Sequence, residues 1–215
     1  MRLNLPVIEA KLRRVQREFD GIQQALGSPR DPMSGAVIDN IVAGYALVDV
    51  LLADGTDVLA PGHLKQLLEL NTLVLCGTSA ERRAAYAPHV AATERRFYDD
   101  RHAGIEDLMQ WCALHADEPV WMRAAGVYVR VLSTPQLFIE GNHRTGALMM
   151  SSVLARQGQP PFVLSVDNAV PYFKVSAAIR GITKGSAATV FRNVASRRRL
   201  ADLLAVHSDH RYVLS

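Results

Sequence analysis

Apolar side chains in this chain recur at three- and four-residue spacings almost throughout, a period that builds helices and leaves little for strands. Ile8, Leu12, Val15, Phe19 and Ile22 form one such stripe between Val7 and Leu26, closed by Gly27, Ser28 and Pro29. A second helix is expected from Ser34, a good N-cap residue, to about Asp54 and Gly55, along Val37, Ile38, Ile41, Val42, Tyr45, Val48 and Leu51. Pro61 is read as opening a third, nearly apolar helix that runs to Gly77. Ser79 to Phe97 follows with a kink at Pro88, then Ile105 to Leu114 and Val120 to Ser133. Thr145 to Gln157, Val166 to Ala178 and Ala187 to Val206 complete the series, with Phe162 to Ser165 extended. The class is all-α: one domain over residues 1–215, with its core at about 34–204 and an N-terminal helix at about 7–26.

Composition narrows the function classes. A net charge of +3 over 215 residues is too small to argue for nucleic acid, whose binders concentrate far more basic charge. Arg192, Arg197, Arg198 and Arg199 read as a solvated helix face. Two cysteines, Cys76 and Cys112, form neither a zinc signature nor a disulfide framework and point to a reducing compartment. No uninterrupted apolar run approaches the roughly 18 residues of a membrane span. The expectation is a cytoplasmic protein that does not enter membranes.

One stretch lies outside this plain helical grammar: Gln136 to Gly146, between two apolar helices. Gly141 and Asn142 tolerate the tight backbone angles that aim consecutive N–H groups into one concavity. The first N–H groups of the following helix lack partners and carry partial positive charge. Arg144 adds a planar fork for phosphate oxygens, and Glu140 a hard oxygen suited to Mg²⁺. These residue types in this order suit a metal–phosphate site.

The same stretch resembles the signature of the Fic family, His-x-Phe-x-(Asp/Glu)-Gly-Asn-Gly-Arg-x-x-Arg. Phe138, Glu140, Gly141, Asn142 and Arg144 match it, while Gln136 replaces the His, His143 the second Gly and Ala147 the final Arg. The last two departures are partly like the Doc branch of the family. The resemblance implies a Fic-like helical bundle, with Tyr98 to Gly104 standing where a short β-hairpin flap that positions targets would fall. It implies transfer of a nucleoside monophosphate from ATP, or another nucleotide, to a Ser, Thr or Tyr hydroxyl of a target protein (AMPylation). By the same resemblance Glu140 is a Mg²⁺ ligand; Gly141, Asn142 and His143 are the anion nest; Arg144 is a phosphate clamp and Phe138 is structural. A weaker likeness, Gly35 to Asn40, is similar to the family's inhibitory helix and puts Asp39 and Asn40 in a regulatory place.

Gln136 occupies the position where the reaction's proton should go, and an amide does not accept a proton usefully near neutral pH. Loss of a general base typically costs about 10²–10⁴-fold in rate. His143 is the candidate substitute, because imidazole titrates near physiological pH. Three readings stay open: an atypical transferase that uses His143, another base or a different phosphate-containing donor; an inactive Fic-fold module for regulation or protein interaction; and a helical interaction protein unrelated to the motif's chemistry, with Arg192, Arg197, Arg198 and Arg199 as its one candidate nucleic-acid contact.

Overall fold

The computed structural model describes residues 1–27, 29–99, 104–185 and 190–214. Among them are ten α-helices: α1 (Leu5–Arg17), α2 (Phe19–Leu26), α3 (Gly35–Ala53), α4 (Leu64–Cys76), α5 (Ala80–Asp99), α6 (Ile105–Leu114), α7 (Val120–Leu132), α8 (Asn142–Arg156), α9 (Val166–Arg180) and α10 (Val190–Val206). The only strands among the described residues are β1 (Arg2–Leu3) and β2 (Val213–Leu214), paired antiparallel with Arg2 opposite Leu214. The fold is therefore all-α with a short two-stranded pairing, and that pairing joins distant segments of the chain. Residues 100–103, within the expected flap segment, lie outside the described residues, as do 187–189 at the expected start of the last helix.

Most of the helices follow from local signals. Ser34 caps α3, its Oγ accepting from the Val37 N–H at 3.3 Å. Ser165 and Asn168 cap each other's backbone at the start of α9, a reciprocal box that fixes where this helix begins. Pro88 sits inside α5, which continues through it.

Three boundaries differ from expectation. The stripe from Val7 to Leu26 is two helices, broken at Glu18, because α1 packs on α3 while α2 packs on α9. A straight helix could not face both. Pro61 does not open α4; with Gly62, at φ +90°, it belongs to the turn before it, and α4 starts at Leu64. The helix expected from Thr145 starts three residues earlier, at Asn142, because Gly141 takes a left-handed φ of +76° and turns the chain into it.

Helix α8 is the axis of the core. Most of its residues are buried, and α3, α4 and α7 pack around it. By length and apolarity α3 would also qualify to cross a membrane, yet here it carries buried Asn40 and Asp49 and packs on α1, α4 and α8. Asp49 receives the Arg2 guanidinium and the Leu3 N–H, the latter at 2.7 Å, and so ties β1 to α3. With α8 anchored on three sides, its N-terminus and the loop that leads into it are held in a fixed place.

Candidate functional site

The loop between α7 and α8 is built by its own side chains. Phe138 is fully buried and stacks on Phe97 of α5, ring centroids 5.7 Å apart. Asn142 then latches the turn: its Oδ1 accepts from the Phe138 N–H at 2.9 Å, and its Nδ2 donates to the Phe138 carbonyl at 2.8 Å. The same Nδ2 reaches Gln136 Oε1 at 3.1 Å, while Gln136 Nε2 donates to the Leu132 carbonyl at 3.3 Å. Buried Asn71 of α4 pins the other side, donating to the Glu140 carbonyl at 2.9 Å and to Thr145 Oγ1 at 3.0 Å. A Cβ at Gly141 would stand 2.9 Å from Asn71 Nδ2, so close approach as well as left-handed backbone calls for glycine there.

This loop forms one wall of a cleft of about 820 Å³. The expected residues Gln136, Glu140, Gly141, Asn142, His143 and Arg144 all line it, joined by Asp31, Arg96 and Arg180 from other parts of the chain. No side chain caps the N-terminus of α8, so its first N–H groups face the cleft without a side-chain acceptor. Arg96 donates to the Gln136 carbonyl at 2.6 Å. Arg144 donates one guanidinium nitrogen to the Val74 carbonyl at 2.8 Å, and burial, partly offset by Asp31 and Glu140, pulls its pKa below the ordinary value. Arg180 is exposed at the end of α9. The cleft thus gathers helix N–H groups and three guanidinium groups against two carboxylates.

His143 has a different role from a phosphate-contacting cation. Ser176 gives its single hydroxyl proton to the Tyr172 carbonyl at 2.8 Å, so its Oγ accepts from Tyr128 at 2.8 Å. With its proton on Ser176, Tyr128 accepts from His143 Nδ1 at 3.1 Å. That arrangement makes His143 the Nδ1–H tautomer and leaves Nε2, which is buried and without a partner, as the lone-pair acceptor. Burial first, then the charges of Arg30, Arg180 and Arg144, lower its pKa from 6.5 to about 4. It is a neutral imidazole at physiological pH, and its contribution to an anion nest is its backbone N–H.

Asp39 and Asn40 separate. Asp39 is exposed and paired with Arg13 of α1, so the structure does not bring it to the loop. Asn40 is buried and donates to the carbonyls of Val74 and Leu75, both at 3.3 Å, sharing the Val74 carbonyl with Arg144. Together they satisfy the last carbonyls of α4. Ala147 lies one turn into α8 on the side of Tyr45 and Phe162, away from the cleft.

Sequence reasoning missed Asn71, Arg96 and Arg180. Asn71 had at most a weak signal, as an amide on the apolar side of α4, between Leu67, Leu70 and Val74. The arginines had none, since only the fold brings them to the loop. No group of three or more His, Cys, Asp or Glu among the described residues could by itself hold a metal ion. Comparison with known proteins finds no match to a family model, a curated protein or a solved structure.

Proposed function

We propose that this chain is a Fic-like nucleotide-binding protein whose cleft at the head of α8 holds the phosphate groups of ATP or another nucleotide, and that it acts as a binding or regulatory module. One observation carries the reading. The anion-binding half of the site faces the cleft, whereas both candidate proton acceptors are committed inside the protein. Gln136 uses both ends of its amide within the loop, and His143 Nε2 is sealed from solvent. The donor set fits phosphate: uncapped helix N–H groups, Arg144 and Arg180. It fits Mg²⁺ only as an ion held mainly by the phosphates, with exposed Glu140 adding one carboxylate oxygen, a common way for this cation to bind. When bound, Mg²⁺ would neutralise phosphate charge.

A second reading, transfer of a nucleoside monophosphate to a target-protein hydroxyl, draws support from the fixed tautomer of His143. In that reaction the hydroxyl oxygen bonds to the α-phosphorus, pyrophosphate leaves, and the hydroxyl proton passes to a base. Nε2 is a free imidazole lone pair beside the cleft, and it serves only if its covered edge opens to it.

Calorimetry with ATP, ADP and Mg²⁺ tests the first reading. Binding is expected, weakened about tenfold in Arg180→Ala, the loss of one charge-assisted contact. Absence of any nucleotide binding at millimolar concentration overturns it. Intact-mass measurement after incubation with ATP, Mg²⁺ and lysate separates the two readings. An added nucleotide mass that disappears in His143→Ala establishes transfer; unmodified masses support the binding module.

A further inference from the structure

A second cavity lies at the other end of α8, about 21 Å along the helix from the first. It measures about 350 Å³ and is walled by the 57–61 turn, α6, α7 and the last turn of α8. Most of its wall is apolar: Leu59, Met109, Trp111, Cys112, Val127 and Val153.

Trp111 is held rigidly there. The far edge of its indole abuts α7 at Gly126, where a Cβ would come within 1.9 Å of the ring. His115 stacks on it at 4.2 Å between ring centroids, and Arg197 covers it at 5.6 Å while paired with Glu118. Packed between these neighbours, Trp111 gives the cavity a preordered aromatic wall that an apolar ligand can meet without further ordering.

Charge in this cavity is unbalanced. Arg156 is engaged, with Asp57 at 3.5 Å and the Gly55 carbonyl at 2.9 Å. Asp57 is used twice, its other oxygen accepting from the Leu59 N–H at 3.0 Å. Arg123 also lines the cavity, is partly buried, and pairs with no carboxylate among the described residues. An apolar chamber with one guanidinium left over calls for one planar, singly charged anion. A phosphate dianion would leave a charge unmatched in apolar surroundings, whereas a carboxylate satisfies the fork of an arginine bidentately. The volume admits a ligand of about ten to fifteen heavy atoms, at the small end of ligand pockets.

We infer that this cavity is a binding site for a small carboxylic acid with an aromatic or branched apolar body, its carboxylate on Arg123 and its body against Trp111. The site is separate from the nucleotide cleft and does not depend on that reading. Cys112 in its wall is an inert part of the lining, since burial pushes its thiol up to about 11.

The test uses phenylacetate and its neutral isostere phenylacetamide with the full chain, followed by tryptophan fluorescence and calorimetry. Phenylacetate is expected to bind at least tenfold more tightly than the amide, and Arg123→Gln to erase that preference while still binding the amide. Excess ADP is expected not to displace phenylacetate. Equal affinity for acid and amide in the wild-type protein, or no binding of either at about 10 mM, overturns the inference whatever the variant does. Displacement by ADP also overturns it, because the acid would then be sitting among the arginines at the head of α8.

Discussion

Asn142→Ala is the sharpest perturbation of the candidate site, because one amide there serves three partners. Its removal orphans both the N–H and the carbonyl of Phe138, a residue with no solvent exposure, and frees Gln136 Oε1. Each buried backbone group left without a partner costs about 1–3 kcal/mol. Gln136 lines the cleft and can turn its oxygen to water, so its share is small. Alanine is the better helix former at the first position of α8, which offsets about 0.5 kcal/mol. The expected net loss is about 3 kcal/mol, a fall of about 1 M in the urea midpoint for an m-value near 3 kcal/mol/M. Asn142→Asp is the control. It keeps the acceptor for the Phe138 N–H and gains about 0.3–1 kcal/mol from the helix dipole, but turns a carboxylate toward the Phe138 carbonyl. It should lose less stability than the alanine variant, yet lose nucleotide binding more completely, since it places a negative charge where the phosphates would sit. Urea unfolding and calorimetry on both variants read the two effects separately. An alanine variant within 1 kcal/mol of wild type would refute the latch, as that bound is below the low end of the estimate.

Gly141→Ala forces an L side chain to φ +76° and a Cβ to 2.9 Å from Asn71 Nδ2; a loss of about 1–2 kcal/mol is expected by urea unfolding, with weaker nucleotide binding. NMR titration of His143 should show a neutral ring until about pH 4, and bound ADP should raise that value by neutralising Arg144 and Arg180. Because its folded pKa lies below the ordinary 6.5, its stabilisation is complete above pH 6.5 and is lost as pH falls toward 4, on the order of 3 kcal/mol. At Asp49 burial acts upward, but the hydrogen bonds and charge of Arg2 with the Leu3 N–H outweigh it and hold the carboxyl below 3.8. Its stabilisation is therefore whole above pH 3.8 and lost on further acidification; hydrogen exchange of the β1–β2 pair should rise there in wild type and depend less on pH in Asp49→Asn.

Elements whose signals are local were legible in the sequence. Ser34 and its helix and the bounds of α6 follow from capping and periodicity, which act over a few residues. Where partners decided, the sequence was silent. The break at Glu18 depends on α3 and α9, and the start of α8 at Asn142 depends on a left-handed glycine wedged against Asn71. The residues from Gln136 to Arg144 were legible as a cluster because they are contiguous. Their division into facing and buried groups was not, because Tyr128, Ser176 and Asn71 come from three other helices.

On the proposed reading, that division is how a phosphate site could work without a proton acceptor. In that reading, anion binding at the head of α8 would rest on backbone N–H groups, set by Gly141 and by the core around α8, and would tolerate changes of side chain in the loop. Proton transfer rests on one side chain, and an amide there is not merely inert. Gln136 presents an acceptor and a donor from one planar group, and the loop uses both: Asn142 Nδ2 takes the oxygen and the Leu132 carbonyl takes the nitrogen. Gln136 thus braces the loop that the proposed reading assigns to phosphate. The same logic applies at His143, where Nδ1 is engaged with Tyr128 and burial, reinforced by the surrounding arginines, disfavours protonation of the ring. Burial, with those arginines adding to it, depresses the base, while the same arginines would favour an anion, which is why the proposed function is phosphate binding ahead of proton transfer.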